Sequence, residues 1–395
     1  MIYEFDYRSV ERGRMFCFLT MLVVFIFLAG FRYRLGQDTV MYVKEYANLH
    51  PINLLSSDDF KSTRFAPGFL ILTSFFRVFG PDFIVFQVVH SIFVNAVIFW
   101  FLYKNSRHLF FSILLFFFYL YFLLLFQQMR ESIAVSIFLL AWPAFRDGKW
   151  LIWYIASLLA FSFHISAFVM FILPLLYLPG IRQLFVFGIR TWFICAAIMV
   201  IAFAIQAVFF KYIELIAFTE TMIERVQTYD KNVLGGSLLN INGIVGKFIQ
   251  YLLYPLVALF FVNKENKNKK NDDEAFRKEQ MMTLMSVYIG IFSIFVAIVA
   301  RYNNYFFIFA ILLLSDWIFT KLPIFGKKLR VQFVYWFIFF LPMFGFQFYN
   351  TYYSTINKSG TIRGYMVYYP YSSYFDQTID KKREEAIRYI IRKIK

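Results

Sequence analysis

The sequence predicts an all-α, polytopic integral membrane protein with about eleven transmembrane helices, within a range of roughly ten to thirteen, plus one short interfacial or re-entrant helix. Three observations lead there. Mean hydropathy is +0.60. Hydrophobic residues make up 60% of the 395 positions and charged residues only 16%. The apolar residues fall in continuous runs, the pattern of helices buried in lipid and not the alternation of barrel strands. The 56 Phe and 27 Tyr suit lipid-facing and interfacial surfaces. The formal charge of +16 does not point to nucleic acid, because the basic residues gather in short loops as the positive-inside rule requires.

Residues 1–14 carry Arg8, Arg12 and Arg14 and are placed in the cytoplasm. Span 1 covers roughly 15–31. It lacks a small-x-small cleavage site and runs into Phe31-Arg32-Tyr33-Arg34, so it is expected to stay as an anchor. A polar stretch, 32–66, follows outside. Residues 67–80 are apolar but short and hold Arg77, which suits an interfacial or re-entrant helix and makes 32–82 one extracytoplasmic loop. Span 2 is 83–103, and spans 3 and 4 are about 109–126 and 131–145, with Arg130 in the turn between them.

The run 150–179 is broken only by His164 and its serine neighbours. As one helix it would reach about 45 Å, too long for a bilayer core. A single crossing would also send the basic loop Lys264–Lys278 outside, so two crossings meeting at His164 are favoured. Span 7 is 184–210. Residues 211–242 form a long extracytoplasmic loop, a candidate lid. Spans 8 to 11 are 243–263, 280–300, 303–319 and 331–350. The whole, 1–395, reads as a single polytopic membrane domain with a polar, basic tail at 351–395. Eleven crossings leave that tail outside, whereas Lys381, Lys382, Arg383, Arg388, Arg392, Lys393 and Lys395 resemble a cytoplasmic, headgroup-binding helix. Either the count is off by one near the end or a basic tail lies on the outer leaflet.

This topology puts Arg32, Arg130, His164 and Arg301 on one, non-cytoplasmic, side. Ionisable residues at membrane depth are costly and mark function by default. Converging arginines suit a phosphate or diphosphate. Each has an ordinary alternative: Arg32 and Arg34 as snorkelling residues at a span end, Arg130 paired with Glu131, His164 capping a turn, and Arg301 in an aromatic belt. In the functional reading Arg32 or Arg34 grips the anion, and Asp38 orients an arginine or accepts a proton. His164 bonds a phosphate or sugar hydroxyl or moves a proton. Arg301, Tyr302 and Asn304 combine a cation, a ring and an amide suited to a sugar. Cys17 and Cys195 lie in apolar runs and imply neither a disulfide nor a metal site. Motifs for ATPases, zinc proteases, serine hydrolases and dinucleotide enzymes are missing, and no metal or other cofactor is expected.

Four motifs occur in order: Arg32-Tyr33 with Gly36-x-Asp38-Thr39-x-x-Tyr42, Arg130 with Ile133-Ala134, Phe163-His164-x-Ser166-Ala167, and Arg301-Tyr302-x-x-Tyr305. Pro370-Tyr371-x-Ser373 follows. Together they resemble the EpsG-type proteins of bacterial exopolysaccharide synthesis, related in role to the Wzy polysaccharide polymerases. Two departures are a polar start where the family often has a further span, and Glu131 where Gln is common. The resemblance implies a metal-independent membrane glycosyltransferase in the bacterial inner (cytoplasmic) membrane, its site facing the periplasm or exterior. It would act in exopolysaccharide, capsule or O-antigen synthesis. The substrate would be an undecaprenyl-diphosphate-linked oligosaccharide, the growing glycan passing from its carrier to a hydroxyl of the next unit. In that scheme Arg32, Arg130 and Arg301 contact the donor, and His164 or Asp38 handles the acceptor hydroxyl. A flippase and a chain-length regulator of the same pathway are possible partners. An O-antigen-type ligase, a lipid-linked sugar flippase or transporter, and a membrane acyltransferase are the rival readings.

Overall fold

The protein is described here by a computed structural model covering residues 11–36, 38–63, 65–216, 248–260, 274–296, 299–321, 345, 348–353 and 361–394. It is all-helical. Among the described residues extended backbone pairs only at an isolated antiparallel bridge between Arg32 and Ser373. Among the described residues three helices are long and apolar enough to cross a membrane: Gly13–Gly30, Ile84–Asn105 and Leu109–Gln127. Shorter apolar helices include Trp150–Phe163, Ile165–Tyr177, Ile189–Ile205 and Tyr251–Phe260. The chain forms two compact units, Met1–Pro174 with Tyr365–Ile387, and Leu175–Gly364 with Arg388–Lys395.

In the first unit, α1 (Glu11–Gly30) ends where its last carbonyls find side-chain donors. Gln87 Nε2 donates to Gly30 O at 2.7 Å, and the Arg32 guanidinium donates to Ala29 O. The expected polar loop 32–66 is more ordered than the sequence suggested. It contains α2 (Thr39–Asn48), a 3-10 turn at Ile52–Leu54 and α3 (Ser57–Ser62). The short apolar run is α4 (Pro67–Arg77), opened by a proline whose missing N–H costs nothing in a first turn. Then come α5 (Ile84–Asn105) and α6 (Leu109–Phe116), which continues as a π-helix over Phe117–Gln127. α1 and α5 pack closely: Ser91 Oγ donates to Ile26 O at 3.0 Å, and Phe25 lies edge-on to Phe99. α7 (Met129–Arg146) and α8 (Trp150–Phe163) form a hairpin. α8 buries Trp153, Ser157 and Ala160 on one stripe and exposes Leu151, Ile155 and Leu158. Such an apolar outer face suits lipid, not water. The helix breaks at His164, as the length argument required, and short turns carry the chain to Tyr177. Gly68 makes the α4–α8 contact possible, since a Cβ there would sit 2.3 Å from Ser162 Oγ.

In the second unit, α9 (Pro179–Leu184), α10 (Ile189–Ile216), α11 (Glu274–Phe295) and α12 (Ala300–Lys321) are described. α11 and α12 pair through a Ser286 Oγ to Asn303 Oδ1 hydrogen bond of 2.6 Å. Two expectations are corrected here. Residues 211–216 are helical and not loop, because α10 continues to Ile216. Arg301 sits inside the first turn of α12, since helical pairing begins at Ala300. The rest of the candidate lid, 217–242, and most of span 11 lie outside the described residues.

The segment Tyr365–Ile387 belongs to the first unit and includes the first turns of α13 (Lys381–Ile394). Tyr33 N–H donates to Ser372 O at 2.8 Å, and Tyr374 N–H donates to Phe31 O at 2.7 Å. Residues 372–374 of the tail therefore lie against the chain that leaves α1.

Candidate functional site

α2 places Asp38, Tyr42 and Glu45 four and seven positions apart, along one helical stripe. Arg130, the second residue of α7, meets that stripe. Its guanidinium lies 5.9 Å from the Tyr42 ring centroid and 5.8 Å from that of Phe65. Burial works against its charge, but Tyr42, which accepts a hydrogen bond from it, and the carboxylates of Asp38 and Glu45 outweigh this. The net effect holds the Arg130 pKa above its ordinary value. Two of the sequence's candidates, Arg130 and Asp38, thus belong to one cluster.

Arg32 joins it through the turn before α7. Its Nη2 is 3.5 Å from Thr39 Oγ1 and 3.4 Å from Met129 Sδ, and its guanidinium lies 5.0 Å from the Phe126 ring centroid. Thr39 Oγ1 donates in turn to Phe126 O at 3.0 Å. Arg32 is only 2% exposed. Its partners among the described residues are a carbonyl, a hydroxyl, a thioether and an aromatic face; none is a carboxylate. Burial pushes its pKa down to about 10. A buried cation without a counter-charge costs several kcal/mol, which an anionic ligand can offset.

Arg34 is held differently. At φ +52° it turns its side chain to Glu384, with Nε–Oε1 and Nη2–Oε2 both 2.8 Å. This two-pronged hydrogen bond, with the charge of Glu384, raises the Arg34 pKa. The tail holds its own shape: Arg383 donates to Pro370 O at 2.6 Å and Thr378 O at 2.8 Å, and Asp376 accepts from Ser372, Ser373 and Thr378. Arg34 therefore fastens the tail to the loop that carries Arg32. Glu384→Ala is expected to cost about 1–2 kcal/mol, more than an ordinary surface pair because the geometry is bidentate and half-enclosed. The exchanged pair Arg34→Glu with Glu384→Arg should recover part of the loss in a thermal melt.

His164 is 7% exposed and caps the turn after α8. Its Nδ1 accepts from the Ser166 N–H at 3.2 Å and lies 2.6 Å from Ser166 Oγ. With Nδ1 as acceptor, the ring proton is assigned to Nε2. Arg301, Tyr302 and Asn304 stand in the second unit, on the first turns of α12. Asn304 is 5% exposed, and its neighbour Asn303, 2% exposed, is spent on Ser286.

Sequence reasoning passed over Gln87 and Glu45, whereas a hydrogen bond from the mid-span His90 to a neighbouring helix is what its position suggested, and it is present. Gln87 Nε2 also donates to Arg32 O at 2.9 Å, and His90 Nε2 bonds Met129 O at 3.0 Å and Ser132 Oγ at 2.9 Å. The two lie three apart on one face of α5, and polar residues within an apolar run were the available signal. Glu45 was legible as the third member of the 38–42–45 stripe. Among the described residues no group of three His, Cys, Asp or Glu gathers as for a metal.

A family model described as the EpsG family matches residues 15–373. The chain belongs to the EpsG family. Proteins of this family are Wzy-like polymerases, so its function is polysaccharide polymerase-like in coarse terms. The match runs from α1 to Ser373, the residue bridged to Arg32, and so includes every candidate site residue. Glu384, which holds Arg34, lies beyond it. No curated protein matches the chain, and no solved structure does.

Proposed function

We propose that this EpsG-family protein polymerises undecaprenyl-diphosphate-linked oligosaccharide repeat units at the outer face of a bacterial cytoplasmic membrane. The growing glycan leaves its lipid diphosphate and is joined to a sugar hydroxyl of the next lipid-linked unit. The observation that carries this reading is Arg32, a buried guanidinium with no carboxylate among its described partners, in contact with Met129, the residue that precedes Arg130. As the anomeric C–O bond breaks, charge grows on the departing diphosphate. Fixed guanidinium donors stabilise such charge in place, and each well-aimed donor contributes about 10²–10³ in rate.

In this reading Arg130, positioned by Tyr42, Asp38 and Glu45, is the second diphosphate contact. Asp38 orients Arg130. His164, with its Nε2–H, donates to a phosphate or sugar oxygen. Arg301, Tyr302 and Asn304 contribute to sugar recognition from α12. Arg34 secures the tail and leaves the anion to Arg32. The chemistry rests on arginines and needs no cofactor. A flippase that delivers the repeat unit and a regulator of chain length are the partners this reaction calls for.

The test is polymer length in a deletion strain complemented with wild type or Arg130→Ala. Long chains restored by wild type, with single repeat units left by Arg130→Ala, are the expected result. Long chains that persist in the deletion strain would refute the proposal and favour a ligase or a transporter.

A further inference from the structure

In the cluster around Arg32 and Arg130 the carboxylates, Asp38 and Glu45, lie in the field of the Arg130 guanidinium. The His164 Nδ1 lone pair is spent on the Ser166 N–H. A second titratable pair lies in the connection between α2 and α4. His50 Nδ1 is 2.7 Å from Asp59 Oδ1. The other carboxylate oxygen, Asp59 Oδ2, accepts from the Ser56 N–H at 2.8 Å and from Ser56 Oγ at 2.9 Å. Asp59 is 8% exposed, whereas the His50 side chain is 60% exposed. A fixed, enclosed carboxylate thus holds an open imidazole by one nitrogen. The His50 Nδ1–H donates to Asp59, which leaves Nε2 as an acceptor facing outward. Bonds from the Ser56 N–H, then His50 and the Ser56 hydroxyl, keep the Asp59 pKa below the usual carboxylate range, so it stays charged beside the ring.

The backbone before His50 is anchored as well. Arg77 Nε donates to Leu49 O at 3.2 Å, and its Nη2 donates to Ala47 O at 3.3 Å. The pair is bracketed in sequence by the two rings that flank Arg130, Tyr42 before it and Phe65 after it. Six helical and two extended steps keep the His50 Cα within about 16 Å of the Tyr42 Cα. Charged neighbours on the adjoining elements are Arg77 and the exposed pair Asp58 and Lys61, 3.9 Å apart on α3.

We infer that His50 and Asp59 form a general-base dyad for the acceptor sugar hydroxyl, with His50 Nε2 as the proton acceptor and Asp59 as the residue that orients it. The inference rests on the polymerase reading. In the step, the acceptor oxygen forms a bond to the donor's anomeric carbon and the carbon–oxygen bond to the lipid diphosphate breaks. The hydroxyl proton passes to Nε2 and then to solvent, and the imidazolium formed is stabilised by Asp59.

The experiment uses the full chain in proteoliposomes, given undecaprenyl-diphosphate-linked repeat units, with initial rates measured from about pH 5 to 9 across the histidine range. His50→Gln keeps a donor toward Asp59 but has no titrating nitrogen, so it tests the base without dismantling the loop. The expected result is a fall in kcat of about 10²- to 10⁴-fold with little change in KM, and loss of the acid-side fall in rate. Asp59→Asn should lower kcat with the acid-side fall retained and shifted. His50→Gln with a wild-type rate and wild-type pH profile overturns the dyad and leaves the polymerase intact. Wild type that forms no polymer from these lipids overturns both.

Discussion

Arg32→Met is expected to give a folded protein that makes no long polymer. The two effects have opposite origins. Methionine fills much of the same volume without the charge, so the penalty of a cation at 2% exposure disappears. Against that stand the lost bonds to Ala29 O and the Thr39 hydroxyl, each contributing about 1 kcal/mol net. The melting temperature should therefore match or exceed wild type. Activity moves the other way under the proposed function, in which Arg32 is a donor to the departing diphosphate; a loss of at least about 10²–10³-fold is expected. Arg32→Lys should recover little, since an ammonium cannot reach the carbonyl and the ligand together in the guanidinium's planar geometry. Melting of the purified protein alongside polymer length decides the matter. An Arg32→Met protein that unfolds would show the residue to be structural; one that polymerises normally would remove it from the site.

Gly36→Ala should be almost as damaging, although Gly36 carries no chemical group. Its φ is +93°, where an L side chain costs about 1–2 kcal/mol. A Cβ there would also lie 2.2 Å from Phe126 O and 3.0 Å from Phe126 C, backbone atoms that cannot rotate aside. Phe126 would have to move, and its ring lies against Arg32 while its carbonyl receives Thr39. A displacement near 1 Å can cost about 10²-fold in rate. Gly80→Ala is the matched control: φ is +143°, yet nothing lies within 4 Å of its added Cβ. It should bear the conformational cost and keep most of the activity. Equal activity in the two variants would show that the close approach to Phe126 does not set the position of Arg32.

The described spans were legible because each element carries its own signal. Unbroken apolar runs gave α1, α5 and α6, and the excessive length of 150–179 located the break at His164. The 38–42–45 stripe is written in helical spacing. What the sequence hid depends on partners far along the chain. Arg32 and Arg34 are the same residue type two positions apart, and nothing local distinguishes them. One closes over the end of α1, and the other finds Glu384, 350 residues away. The capping bond that occupies His164 Nδ1 was open to reading, because Ser166 follows two residues later. The direction of the proton on that ring needed coordinates. The His50–Asp59 pair joins a turn residue to a short helix, across a distance that periodicity does not report.

The antiparallel bridge between Arg32 and Ser373 has a consequence for biogenesis. A chain emerging from the ribosome inserts α1 first, so Arg32 reaches the membrane surface some 340 residues before its bridging partner is made. During that interval the loop lacks the backbone bonds of Tyr33 and Tyr374 and the grip of Glu384 on Arg34. Contacts that close so large a loop form last in any folding sequence. Competence is thus deferred until insertion is complete. The cluster around Arg32 is therefore not fully braced until the last helix is in place.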